Sequence, residues 1–518
     1  MARIVSTRLT IGMEVHVELS TRSKMFSRAP NPACREFDAS PPNSLIDPTV
    51  LGLPGALPVM NRSAVELSIL VGLALGCRIA DAAVWDRKGY FYPDLPKGYQ
   101  ISQYALPLCG QGRLDVPALD DRGRVDLDAP THTVRIRRAH LEEDAGKLLH
   151  EAPGGGPIDG SIIDLNRAGT PLLEIVTEPD FTTAEQAVSF ARMLRDICRF
   201  VGATEGVMQK GHMRFEPNIN SVLTLDDGRE VATPIVEIKN LNSFKSLRGA
   251  IEHEAAAQPA RWEADGLTLA PGTKRTLGWD DARGITLPQR EKEEAHDYRY
   301  FPDPDLPPVV IDAAWREAIA ARLPELPLSR HRRYVTSLGL SAQEAAALSE
   351  ERATSDLFEE AMAAAIASGL AQDRAARATA NVLLQSGLKR ANERGIAVHD
   401  LGLHPAEIAE LGSLRERGLL GSNAADELFG LLADRPCASG PRSVESLARE
   451  RSLLTLRDDA ALDAWCRAAI AAHPKAADDV RAGKPAAIGR LVGEAMKASA
   501  GRGDAAAIRQ RLASLLSG

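Results

Sequence analysis

Residues 11–19 read IGMEVHVEL, and this stretch decides how the chain folds. Ile11, Met13, Val15, Val17 and Leu19 alternate with Gly12, Glu14, His16 and Glu18, the two-residue period of a strand that buries one face. Such a strand belongs to a sheet with one covered apolar side. Its other side carries three ionisable groups in succession, which are either a solvated face or a site.

The chain has 518 residues, more than one core organises, so two to four domains are expected. With 44% hydrophobic and 25% charged residues, it has the composition of an ordinary globular protein. No apolar stretch is long enough to cross a membrane, and the start, MARIVSTRLT, lacks the apolar region of a secretory signal. A cytoplasmic location without a membrane partner is expected. The cysteines Cys34, Cys77, Cys109, Cys198, Cys437 and Cys466 are scattered with no CxxC pair, which argues against a disulfide framework and fits a reducing compartment. A net charge of -8 offers no global attraction to nucleic acid, so such a partner would need local basic patches.

Texture changes along the chain and predicts an α+β protein. Up to Pro308 the sequence is rich in Gly, Pro and short β-type runs such as HTVRIRRAHL and SIIDLNRAG, with one clear amphipathic helix in AEQAVSFARMLRDICRFVG. The proline cluster in PDPDLPPVV marks a boundary. Beyond it the chain is Ala-rich and helical, with a second break near RPCASGPRS. The expected division is a sheet-rich domain over 1–308, an all-α linker domain over 309–440 and a small all-α tail domain over 441–518.

Several blocks carry candidate chemistry. The phosphate-loop pattern GxxxxGK[ST] is absent, and GGGPIDG at 154–160 lies between two β-like segments, where a hairpin turn explains the glycines better than a phosphate cradle. In AHLEEDAGKLLH, residues 139–150, Glu142, Glu143 and Asp144 repel one another unless they are solvated or face a cation. Glu174 interrupts the apolar run in GTPLLEIVTEPD, and a carboxylate there requires a partner. A hairpin between these segments brings Glu143 towards Glu174, and the strand with Glu14 and His16 adds a third edge. Oxygen ligands with one imidazole suit magnesium or manganese better than structural zinc. Salt bridges to Arg135, Arg137, Arg138 and Arg167 are the bland alternative. The block DRKGYFYPDLPKGYQISQY, residues 86–104, concentrates lysines and tyrosines in a chain that is only 4% aromatic, as a surface that stacks on bases and pairs phosphates would. A packed, proline-bounded loop explains it equally well.

Taken in order, IGMEVHVEL, SKMFS, LGLPGALPVMN, DRKGYFYPDLPKGYQISQY, AHLEEDAGK, DLNRAGTPLLEIV, EIKNLNSF and HDYRYFPDPDLPP resemble the B subunit of the tRNA-dependent aspartyl/glutamyl amidotransferases. The ending GKPAAIGRLVGEAMKAS is similar to that family's YqeY-like tail. The resemblance implies a cradle domain over 1–308 that phosphorylates, with ATP, the side-chain carboxylate of Glu-tRNA(Gln) or Asp-tRNA(Asn). It implies a magnesium or manganese ion held by the catalytic residues Glu14, His16, Glu143 and Glu174. Nucleotide contacts are expected from Lys88, Tyr90, Tyr92, Lys97, Ser102, Arg214, Asn218, Glu237 and Lys239. The implied partners are the amidase, or A, subunit, which supplies ammonia, the small C subunit, with which the two form a heterotrimer, and the mischarged tRNA. In the tail, Arg490, Lys497 and Arg502 are expected to meet tRNA phosphates, Arg490 and Lys497 sharing a helix face at a seven-residue spacing.

Two departures stand out. Many members of that family carry a cysteine zinc site near residues 27–50; here only Cys34 is present, so no zinc is expected. In MRFEPNIN, Phe215 and Glu216 replace the more familiar Cys and Asp. The competing readings are a non-catalytic tRNA-binding scaffold and a free-standing metal-dependent hydrolase, neither of which needs this whole combination of motifs.

Overall fold

In the computed structural model, residues 2–151, 155–288, 298–435, 440–455, 459–482, 484–499 and 503–517 are described. They form two compact units, Met1–Leu326 and Pro327–Gly518.

The first unit is organised by a twelve-stranded sheet. Its middle is the strand Ile4–Glu18, flanked by Met213–Leu225 on one side and Pro171–Thr177 on the other, followed outward by His132–Glu143, Tyr99–Ser102 and Asp86–Gly89. These pairings are antiparallel, so successive side chains alternate between the two faces. On the far side of Met213–Leu225, the strand Val236–Lys239 is antiparallel to it and parallel to Arg275–Asp280.

The apolar half of the period is fully used. Met13, Val15, Val17, Leu141, Leu173, Ile175, Met213, Phe215 and Ile219 are all buried in one core. Among the helices that contribute to that core are Arg62–Ala74 through Val65, Ile69 and Val71, Ala184–Phe200 through Val188, Phe190 and Leu194, and Phe244–Asp265 through Leu247 and Ile251. Each has an N-cap side chain, Asn61, Thr183 or Ser243, that accepts a hydrogen bond from a first-turn N–H. The Asn61 amide also donates to the carbonyls of Ser23 and Lys24, fastening the first helix to the loop after the central strand.

Between the strands His132–Glu143 and Pro171–Thr177 the chain makes a two-stranded ribbon, Lys147–Glu151 paired with Pro157–Asp164. This is the hairpin expected around the GGGPIDG run. At its root Gly146 lies so close to the carbonyls of Asp164 and Asp94 that a Cβ would sit 2.7 and 3.0 Å from their oxygens. The last glycine of EEDAG is therefore a packing requirement.

The first unit runs past Pro308. The helix Ala313–Ala320 returns to the first helix, with the Trp315 indole N–H donating to Glu66 at 3.0 Å and Arg322 pairing with the same carboxylate at 2.7 Å. The second unit has helices and no strand among its described residues, with two larger cores and a small alanine cluster of Ala365, Ala375 and Ala409. Helices from Pro327–Thr336 to Val444–Glu450 enclose Tyr334, Phe358, Leu411, Leu428 and Val444, so the helix after the RPCASGPRS break packs with those before it. The helices Asp459–Ala472, Ile488–Ala498 and Ala505–Ser517 enclose Cys466, Leu491, Ala495, Ile508 and Leu512. Among the described residues no helix is long and apolar enough to cross a membrane.

Candidate functional site

The polar half of the same period converges on Glu174. Register places His16 directly opposite Glu174 across one strand pair and His140 opposite Glu174 across the next. Cross-strand partners point to the same face, so both imidazoles flank one carboxylate. His16 Nε2 lies 3.6 Å from Glu174, 3.7 Å from Glu14 and 3.9 Å from Glu142, and His140 Nε2 lies 3.5 Å from Glu174. Two groups of three result, Glu14, His16 and Glu174, and His140, Glu142 and Glu174, each with its ligand atoms within 4.8 Å of one another.

A slip of register explains why Glu142 takes part. Val176 faces Arg138, but the next residue, Thr177, faces Ile136, so the His132–Glu143 strand carries one extra residue here. Such a bulge reverses which side chains face the core. Before it Val134 and Ile136 are buried; after it Ala139 and Leu141 are. Arg138, His140 and Glu142 are thereby turned onto the polar face. The sequence HTVRIRRAHLEE contains the signal, since its apolar residues change phase across the Arg137–Arg138 doublet.

Glu143, expected among the ligands, does not join this group. It stands opposite Pro171 and accepts hydrogen bonds from the Ile101 N–H, at 2.9 Å, and from the Lys97 ammonium. That pair is itself almost completely buried. His140 was not singled out in the sequence, and Glu142, named there only as one of three adjacent carboxylates, stands where Glu143 was expected.

The electrostatics show an excess of acid. Burial, reinforced by the charge of Glu174, pushes the Glu14 and Glu142 carboxyls up to about 7. Glu174 itself is held at about 2: burial opposes its ionisation, but the two adjacent imidazoles outweigh it. Burial likewise opposes protonation of His16, yet the close approach and negative charge of Glu174 carry it up to about 9. His140, with less compensation, is pushed by burial down to about 4. The Nδ1 atoms of both histidines are buried and have no hydrogen-bond partner among the described residues. A hard divalent cation fits this donor set, because it takes carboxylate oxygens and imidazole nitrogen and relieves the repulsion that keeps protons on Glu14 and Glu142.

Charged groups border the cluster. Arg214, the partner of His16 across the other strand pair, donates to Asp144 at 2.7 Å, and Arg167 lies 3.5 Å from the same carboxylate. Lys239 bridges Glu216 and Glu237, each at 2.9 Å, and Lys274 pairs with Glu237 at 2.7 Å. The replacements at 215 and 216 are thus absorbed on opposite faces, Phe215 in the core against Phe244 and Glu216 on Lys239. Asn218 stands between Gly12 and Glu237, and Ser102 donates to Glu142 at 3.4 Å. Lys88 lies over the Tyr298 ring at 4.5 Å.

The tyrosines of the 86–104 block divide. Tyr90 packs with Leu95, Ala168 and Val50 in a small separate core, its ring 4.9 Å from that of Tyr92. Neither joins the Glu174 cluster. In the second unit Arg490 and Lys497 are exposed on one face of the helix Ile488–Ala498, opposite buried Leu491 and Ala495. Arg502 lies outside the described residues, as does Cys437.

Residues 9–317 match the family described as the GatB/GatE catalytic domain, and residues 356–516 match the family described as the GatB domain. Among curated proteins, the B subunit of the aspartyl/glutamyl-tRNA(Asn/Gln) amidotransferase of Thermomicrobium roseum is 43% identical over 503 residues, covering 97% of each chain. The B subunits from Thermosynechococcus vestitus and Rhodopirellula baltica are 41% and 39% identical, each over 98% of this chain and 96% of the relative. Agreement over the whole length, with the Glu174 cluster seated in the matched catalytic region, establishes that this chain belongs to the B-subunit family of the aspartyl/glutamyl-tRNA(Asn/Gln) amidotransferases.

Proposed function

We propose that this chain activates the side-chain carboxylate of a glutamyl or aspartyl group esterified to the wrong tRNA, Glu-tRNA(Gln) or Asp-tRNA(Asn), by transferring to it the terminal phosphoryl group of ATP. A carboxylate oxygen forms the new bond to phosphorus while the bond from that phosphorus to the departing ADP breaks. The acyl phosphate then loses phosphate to ammonia, which a partner amidase provides within a heterotrimer that also holds the small C subunit. The intermediate is required because a carboxylate has no leaving group that ammonia can displace at neutral pH.

The observation that carries this reading is the sharing of Glu174 between two imidazole and carboxylate groups at the centre of the polar face. Glu14, His16, His140, Glu142 and Glu174 would hold magnesium or manganese. The bound ion supplies charge neutralisation for the phosphate oxygens and alignment for in-line transfer. Lys88, Arg214 and Lys239 border the same face and add positive charge towards an anionic substrate, while Asn218 and Ser102 offer neutral polar contacts. Glu216 and Glu237 hold Lys239 in place. In this reading the sheet unit is the catalytic cradle, and the helical unit grips the tRNA body through Arg490 and Lys497.

The test is consumption of ATP by the chain assembled with its amidase and small partners. Mischarged tRNA should stimulate it, correctly charged Gln-tRNA should not, and hydroxylamine should capture the intermediate as a hydroxamate. ATP consumption that is indifferent to the tRNA would overturn the proposal.

A further inference from the structure

Beside the Glu174 cluster, three tyrosines from distant parts of the chain meet on the polar face. Tyr104 lies two residues beyond Ser102, the last residue of its strand and the register partner of Glu142. Tyr298 and Tyr300 arrive on a strap that crosses the sheet edge, where Phe301 pairs with Arg87 and Pro302 with Asp86. Tyr104 stacks on Tyr300 with ring centroids 4.2 Å apart and planes 16° from parallel. Tyr298 meets Tyr300 edge-on at 6.2 Å, and Lys88 caps Tyr298 at 4.5 Å.

The obvious role of such rings is packing, and Tyr104 does not serve it. The residue is 58% exposed, although it is stacked in parallel on a neighbour. Its backbone is nevertheless clamped. Asp86 accepts from the N–H groups of Tyr104 and Ala105 at 2.9 and 3.0 Å, and Arg138, turned to this face by the bulge, donates to the Tyr104 carbonyl at 3.0 Å and to that of Gln103. A flat ring held rigidly with one side supported and the other open is preorganised to receive a second flat ring at low entropic cost. Stacking accepts any base, because every base has a π face.

We infer that Tyr104, backed by Tyr300, is the stacking platform for an adenine base whose phosphates or ester point towards Glu142 and Glu174. The inference rests on the proposed phosphoryl transfer, in which adenine enters from two sources, ATP and the 3′-terminal adenosine of the tRNA. Lys88 and Arg138 place positive charge on the approach from the platform to the carboxylates, the side on which either source carries phosphate. Tyr104 is thus a binding residue that sets base preference, separate from the groups that would hold the metal.

Binding of ATP and of base-free inorganic tripolyphosphate to the full chain in magnesium tests this by calorimetry. The wild type should prefer ATP, and Tyr104→Ala should erase about tenfold of that preference while leaving tripolyphosphate affinity unchanged. Tyr104→Trp should retain the preference. In a parallel arm, mischarged tRNA is compared with the same tRNA lacking its terminal adenosine. If Tyr104→Ala erases only that difference, the base on the platform belongs to the tRNA. The platform is refuted if Tyr104→Ala changes neither comparison, or if Tyr104→Trp loses as much as Tyr104→Ala. Failure of the underlying reading looks different: the wild type would then bind neither ATP nor tripolyphosphate, or Glu174→Gln would leave the affinity for both unchanged.

Discussion

His16 and Glu174 are directly opposed across the antiparallel pair at the middle of the sheet, with Nε2 3.6 Å from the carboxylate. The contact is longer than a direct hydrogen bond and close enough for both groups to touch one small ion. Glu14 and Glu142 approach the same imidazole at 3.7 and 3.9 Å, so the arrangement is a ring around a centre and not a set of closed ion pairs.

Neighbouring glutamates on one strand should therefore behave differently. Glu142→Gln and Glu174→Gln should each weaken Mn2+ binding, read by calorimetry, by at least tenfold, because each removes a charged ligand. Glu143→Gln should leave Mn2+ affinity within a few-fold. It should instead lower thermal stability by about 3–5 kcal/mol, because Lys97 keeps its buried charge and loses its partner. Equal loss of metal binding in all three variants would refute the bulge-determined facing of this strand.

Lys24 is a fully buried amine, pushed by burial down to about 7 from an ordinary value of 10.5, with a hydrogen bond to the Leu165 carbonyl at 3.4 Å. Its folded value lies below its unfolded value, so the unfolded chain binds the extra proton between pH 7 and 10.5. Stability contributed at this position consequently rises with pH across that window and is flat below it. Lys24→Met should stabilise the protein by roughly 3–5 kcal/mol at pH 6, with the gain shrinking as pH approaches 10. Urea unfolding at several pH values measures it, and a gain independent of pH would contradict the assignment.

The Cys34 segment is held by Asn31. Its amide donates to the carbonyls of Leu19 and Thr21 at 2.8 and 2.9 Å, and its oxygen accepts from Ala33 N–H and the Thr170 hydroxyl at 3.2 and 3.1 Å. Asn31→Ala leaves several buried groups unpaired and should cost about 2–4 kcal/mol, with faster amide exchange over residues 28–50. An unchanged melting temperature would show that other contacts hold this loop.

Arg490 and Lys497 face solvent seven residues apart on one helix, and neither makes an ion pair among the described residues. Replacing both with Ala should lower tRNA affinity and reduce the slope of log K against log salt by about 1.4–1.8, the contribution of two phosphate contacts. The fold should be unaffected, since both side chains lie outside the Leu491 and Ala495 core. Unchanged affinity and slope would make this helix face a spacer.

Much of this was legible in the sequence because it is local. The alternation in IGMEVHVEL requires only the period of a strand, and it correctly separated Val15 and Val17, now core, from Glu14 and His16, now on the site face. The phase of the amphipathic run from Ala184 and the hairpin glycines are equally local properties. Glu174 stood out because a charge within an apolar strand has to be compensated.

What the tertiary structure alone decided is which residues meet. Whether Glu142 or Glu143 turns towards His16 depends on one extra residue beside Arg138, and a slip of one position exchanges the two faces of a strand. The stacking of Tyr104 on Tyr300 depends on a strap that returns from almost 200 positions further along the chain, roughly the separation that makes contacts unreadable from local pattern. Side-chain period is set by the backbone of each residue and its neighbours, so the sequence determined the faces. Register and strand order are set by the summed packing of the whole sheet, so only the fold determined the site.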